Sequence, residues 1–373
     1  MALVIVLIEL WAACFLSEVR ALKAEDQQAS APPEAHLKRA QALIGECKPN
    51  EARAELETYL NGSKPKDLPR PVRMTWMQMM LRVELETEAQ RSKPVVDRGL
   101  PELIQTLPEL KGLQPAKTQE ELPTILKKTG DRVEAFFRDF QNTSSLEQIQ
   151  HELLNRKERV SFTQSERFHY LLLKCPDASQ SARDINEYRT GGEAPADERR
   201  RLPDGMISTS GFASLSIYFL PVYQAECRFL YLGRQRMDDH QTDVVAFAQQ
   251  PAVAQLWGNF NVIGGASATT LLQGIAWIDS GTHQIVCLRT DLLCPVPRVH
   301  LSRETTEIHY AEVHFKNSTL SPWLPRDVVV TVEWEGKLLR NTHSYSDFQL
   351  FNVETKPKIL PEPLREHDAA KTD

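Results

Sequence analysis

The hydrophobic period of the chain changes once, at Asn142-Thr143-Ser144, and that change restricts the fold more than any other feature. Over residues 34–140 apolar side chains recur at helical spacing, and prolines gather at junctions, at Pro49, Pro65, Pro69, Pro71, Pro94, Pro101, Pro108 and Pro115. From there to about Val353 apolar and polar residues alternate, which is the period of strands. Helices first and strands afterwards make an α+β fold, not the interleaved order of a doubly wound or barrel plan. The reading is an all-helical domain over 34–141, a sheet domain over 142–353 and a polar tail over 354–373.

Within the helical part, Ala40, Ala42, Leu43, Ile44 and Gly45, then Ala52, Ala54, Leu56, Tyr59 and Leu60, resemble one tetratricopeptide-repeat hairpin, with Gly45 and Pro49 bracketing its turn. One such unit cannot bury a continuous core, because about three are needed. The hairpin is therefore expected to lean on the helices that follow. On the next helix Met74, Trp76, Met77, Met79, Met80 and Leu81 either fill a core or present an adaptable surface, with Trp76, Met77 and Met80 as the partner-docking candidates. Val133, Phe136, Phe137 and Phe140, at i, i+3, i+4 and i+7, give the last helix one aromatic stripe to bury.

In the second part, strands are expected over 145–154 and 160–174 around a polar turn, with a short edge at 185–189 and a mobile loop over 190–204 that carries Arg199-Arg200-Arg201. Residues 211–220 read as a short, very apolar helix ending at Pro221. Hairpins follow, 228–236 with 242–250 and 269–279 with 284–292, and strands at 305–315, 327–334 and 338–351 complete a meander of sequential neighbours. Asp279 precedes the turn at Gly281, where its carboxylate is placed to accept the N–H of Gly281 or Thr282 and so fix the register of Trp277.

Residues 2–16 are almost wholly apolar, too short a run to span a bilayer comfortably, and small residues follow. We read 1–24 as a secretory signal, which places the mature chain in the periplasm or outer envelope. The alternatives are a retained anchor and a lipidated Cys14. Five cysteines remain beyond the leader, an odd number, so at least one thiol is free. A net charge of -6, from 44 basic and 50 acidic residues, provides no field for a phosphate backbone, so nucleic acid is not an expected partner.

No catalytic signature is present: there is no G-x-S-x-G, H-E-x-x-H, Walker loop or dinucleotide glycine pattern. No C-x-x-C or Cys/His spacing suggests a metal, and His309 and His314, an odd number apart, face opposite sides of a regular strand. The expectation is a protein that is not an enzyme, with no catalytic residue, no metal and no cofactor.

The segment Gly274-Ile-Ala-Trp277-Ile278-Asp279, a turn, then Gln284-Ile285-Val286-Cys287-Leu288-Arg289-Thr290, resembles the paired strands of the periplasmic lipoprotein carriers of the LolA type. The whole order is similar to bacterial envelope proteins that join a tetratricopeptide-like helical start to such a sheet. The resemblance implies a half-barrel wrapped around a short helix and holding an acyl chain or a lipidated polypeptide. Phe212, Leu215, Tyr218, Phe219 and Trp277 would then line the groove. The alternatives are a fully packed sheet and a scaffold or sensor that docks an envelope protein through its helices. Membrane association would be peripheral at most.

Overall fold

The computed structural model describes residues 33–174, 185–191, 209–262, 265–316 and 318–351. The expected leader at 1–24 with Cys14, the fifth thiol Cys175, the arginine run 199–201 and the tail 354–373 lie outside the described residues.

The helices are α1 (Pro33–Gly45), α2 (Pro49–Leu60), α3 (Arg70–Ser92), α4 (Leu100–Thr106), α5 (Leu122–Asp139) and α6 (Pro221–Gln224). Proline occupies the first turn of α2 to α6, where the missing N–H would have no intrahelical partner anyway. The strands are β1 (Gln114–Pro115), β2 (Thr143–Leu154), β3 (Val160–Lys174), β4 (Ile185–Thr190), β5 (Cys227–Met237), β6 (His240–Gln249), β7 (Gly258–Asn261), β8 (Ser267–Thr270), β9 (Leu272–Asp279), β10 (Ile285–Leu292), β11 (Leu301–Glu312), β12 (Trp323–Trp334) and β13 (Lys337–Leu350). A helical amino-terminal region is thus followed by a large curved antiparallel sheet, as the period change requires.

That sheet has eleven strands among the described residues, in the order β1-β5-β6-β9-β10-β11-β12-β13-β2-β3-β4, and β7 and β8 form a separate ribbon. Two sequence expectations are corrected here. The meander is not strictly sequential: β2 pairs with β13 along its length, and the chain crosses from β4 at one edge to β5 near the other. Turn signals report local hairpins and carry no information about which distant strand closes a ladder. The segment before Asn142 is not wholly helical either, because Gln114 and Pro115 pair with Arg234 and Gly233 as the edge strand β1. Gly233 has φ 137°, and a Cβ there would meet the Gln114 carbonyl oxygen at 2.0 Å, so this edge pairing requires glycine.

The expected hairpin of α1 and α2 forms and is closed by α3, around Ala40, Ile44, Ala52, Leu56 and Val83. No second hairpin of this kind follows among the described residues. α4 is only seven residues long, and the chain then turns into β1. The apolar stretch expected as a helix at 211–220 is a 3-10 segment, Phe212–Phe219, entered through Gly211 at φ 96°.

The two faces of the sheet bury different partners. One face, called the inner face below, packs against α5 and the 3-10 segment: Val245, Phe247, Ala276, Ile278, Leu288, Val328 and Val330 meet Val133, Phe137, Phe212 and Phe219. The outer face presents Leu232, Val244, Ala246, Ile275 and Trp277 to Val95, Leu103, Leu107, Leu110 and Leu113 of the amino-terminal region. Side-chain amides join this region to the sheet. The Val95 N–H donates to Gln273 at 2.6 Å, and Gln235 takes the Trp277 indole N–H at 3.1 Å while donating to the carbonyls of Glu109 and Lys111.

Candidate functional site

The carboxyl-terminal half of α5 does not seal the sheet. Its Ala135 and Phe136, with Phe140 and Gln141 just beyond its end, form one wall of a groove of about 180 Å³. Phe315, Leu320, Pro322 and Trp323 from the β11–β12 connection, with Leu350 at the end of β13, form the other. The aromatic stripe on α5 divides its work: Val133 and Phe137 are buried in the inner core, whereas Phe136, only partly buried, turns to the groove and meets Phe140 with ring centroids 5.5 Å apart. Arg132, Asp139, Gln284 and Ser321 supply the polar rim. Arg132 is tethered there by donating from Nε to the Thr282 carbonyl at 3.0 Å. The surface is apolar inside with charged groups at its edge.

A buried polar network lies on the inner face, on β2, β13, β3 and β4. Glu147, fully buried, accepts hydrogen bonds from Arg189 at 2.5 and 2.7 Å, from His343 Nδ1 at 2.9 Å and from the Tyr345 hydroxyl at 2.8 Å. Burial alone would raise this carboxyl, but the Arg189 guanidinium, His343 and Tyr345 hold it at about 2. Burial pushes His343 below its ordinary value in spite of Glu147. The ring is therefore neutral, donating from Nδ1 to the carboxylate and accepting the Thr209 hydroxyl at Nε2, 3.1 Å away. Glu187 is the counterpart: burial raises its carboxyl, although the Tyr170 hydroxyl and the N–H groups of Gly211 and Ala213 all donate to it. Through those two N–H groups it fixes the start of the 3-10 segment.

The sequence-derived candidates are distributed over three places. Phe212, Tyr218 and Phe219 are buried in the inner core and Leu215 packs against it. Trp277, with no exposed surface, is on the outer face, because Ala276 and Ile278 on either side of it take the inner one. These five residues therefore do not line one space, and none of them borders the groove. Trp76 is half-buried and donates from its indole to the Leu56 carbonyl at 3.0 Å, Met80 packs on the α1–α2 core, and Met77 is 51% exposed.

The groove residues Leu320, Pro322 and Leu350 escaped sequence reasoning because they meet only through the ends of distant strands. Glu147 carried a visible signal. It shares one strand face with Thr143, Ser145, Ile149 and His151, and a carboxylate on an inward-facing position demands a partner.

No family model matches the sequence, and no curated protein matches it. Among solved structures the chain is similar to a DUF1329 family protein from Desulfovibrio piger, at 12% identity and a TM-score of 0.30 over 61% of this chain and 92% of that one. It is also similar to a domain described as an outer membrane lipoprotein-sorting protein from Vibrio parahaemolyticus, at 12% identity and a TM-score of 0.31 over 64% of this chain and 94% of that one.

Proposed function

We propose that this is a non-enzymatic binding protein of the bacterial envelope that holds one acyl chain, free or attached to a polypeptide, in the groove beside α5. The observation that carries the reading is the partly buried wall of Phe136, Trp323, Leu320 and Leu350, which leaves apolar surface facing an open space instead of a packed core. The space is smaller than the roughly 300–1,000 Å³ of sites for drug-sized ligands, so it suits one end of a single chain, not a whole diacyl lipid. Each methylene transferred from water contributes about 0.8 kcal/mol, and six or seven of them suffice for binding on the order of 5 kcal/mol. Arg132 at the rim would meet an anionic head. An exported location follows from the apolar leader read in the sequence, and among the described residues no helix is long and apolar enough to cross a membrane.

The non-enzymatic part of the reading rests on the buried network. Thr209, His343 and Glu147 stand in the order hydroxyl, imidazole, carboxylate, but the carboxylate is already committed to Arg189 and Tyr345 and the imidazole is fully buried. A base that must exchange protons with a substrate needs access to it. The test of the function is native mass spectrometry of protein purified from a lipid-containing host, together with displacement of a fluorescent fatty acid. A co-purified acyl species in the wild type, absent from Leu320→Arg and Phe136→Asp proteins that still fold, is the expected result. An empty wild-type protein that gives no probe response defeats the proposal.

A second reading is favoured by one observation: Met74 and Met77, one helical turn apart on α3, are 49% and 51% exposed. Such a flexible apolar pair suits a protein partner. In-cell crosslinking that is lost in Met74→Lys/Met77→Lys, with fatty-acid binding unchanged, separates this docking role from the groove.

A further inference from the structure

We infer that Cys287, Glu307 and His309 form a binding site for a zinc-class divalent cation on the outer face of the sheet, independent of the groove. Cys287 on β10 stands directly opposite His309 on β11, and Glu307, two residues before His309, shares its face. One donor atom from each lies within 4.8 Å of the other two. A tetrahedral ion with bonds of about 2.0–2.3 Å needs ligand atoms only somewhat closer than that. The sequence shows no metal spacing because the ligands come from facing strands, where contiguity is set by register and not by residue interval.

The surroundings fit a cation. The Cys287 thiol is buried and makes no hydrogen bond among the described residues; the ion takes the place of its S–H proton, which passes to solvent as the metal binds. The Glu307 and His309 side chains are 29% and 28% exposed and hold each other at 2.9 Å, so these two ligands reach solvent while the sulfur is buried beneath them. Burial above all keeps Cys287 protonated until an ion displaces the proton, and around it stand three carboxylates, Glu307, Glu109 and Asp238, with the one guanidinium of Arg289 acting against them. One oxygen of Glu109 is buried with no hydrogen-bond partner while the other is held by Arg289. A cation offsets this excess of negative charge. Thiolate, imidazole and carboxylate together select zinc over magnesium or calcium, and three protein ligands leave a fourth position for water.

The experiment uses the whole chain, kept reduced, with Zn²⁺ in calorimetry and Co²⁺ as the spectroscopic probe. One Zn²⁺ per chain is expected, with a thiolate-to-cobalt charge-transfer band that disappears in Cys287→Ser and persists in Cys47→Ser. Because the buried Cys287 position can affect folding, His309→Gln and Glu307→Gln provide the second arm, each expected to weaken Zn²⁺ by at least about tenfold with the circular dichroism unchanged. A cobalt complex without the thiolate band, no stoichiometric Zn²⁺ binding, or variants that bind as tightly as the wild type would overturn the assignment. Fatty-acid probe binding should be the same in all of these proteins, so failure here leaves the groove untouched and failure there leaves this site untouched.

Discussion

At the scale of single residues, Asp279 shows how much one carboxylate can organise. Its Oδ1 accepts the N–H groups of Gly281 and Thr282 at 3.0 and 2.7 Å and the Thr282 hydroxyl at 2.8 Å, and its Oδ2 meets His240 Nδ1 at 2.9 Å. Asp279→Ala should therefore cost about 1–3 kcal/mol in thermal unfolding, since charge-assisted bonds at a turn are lost together. Glu147 and His343 predict an acid-sensitive fold. Burial holds the folded His343 below its ordinary value of 6.5, so its contribution is complete above that pH and is lost as pH falls below it. The folded Glu147 sits at about 2 against 4.5, so its contribution is complete above 4.5 and is lost between there and about 2. The Glu147 part amounts to about 3 kcal/mol, while Glu187, raised by burial, acts in the opposite sense and offsets some of it. Melting temperatures followed from neutral pH to about pH 3 should fall in two stages, and His343→Asn should remove the first stage and, since His343 helps hold Glu147 low, alter the second.

At the scale of elements, alternation decides which partner a side chain meets. Trp277 is buried on the outer face, so Trp277→Ala should lower stability by about 3–5 kcal/mol while leaving fatty-acid binding unchanged. A folded variant with weakened probe binding would instead link the outer face to the groove. Gly233→Val should detach β1 and expose a sheet edge, detectable as faster hydrogen exchange at Ala116, whose N–H donates to the Leu232 carbonyl at 2.9 Å. The periods of 3.6 and 2 made most helices and strands legible in the sequence, and Glu335-Gly336, both at positive φ, marked the β12–β13 turn. The site was less legible. The α5 stripe was legible as a face to be buried and not as the groove wall that Phe136 and Phe140 supply, and the opposite wall depends on where the ends of β11, β12 and β13 fall in space. Cys287 and His309, likewise, meet only once register is set.

At the scale of the whole molecule, the helical part is not an independent bystander. Leu85 and Ala89 of α3 share a core with Ala248, Leu271 and Leu293, and Arg82 reaches the carbonyls of Pro251 and Ala254 at 2.6 and 3.0 Å. Calorimetry should accordingly show one cooperative transition, and a separate early melting of residues 34–141 would contradict the shared cores. The β2–β13 ladder adds a constraint in time. Residues 143–154 pair with 338–350 on one side and with β3 on the other, so β2 lacks one of its two neighbours until residues 338–350 have been synthesised. Contacts at such sequence separation form late because loop closure must precede them. The β13-facing edge of β2 in a nascent chain therefore stays open to a chaperone until β13 arrives.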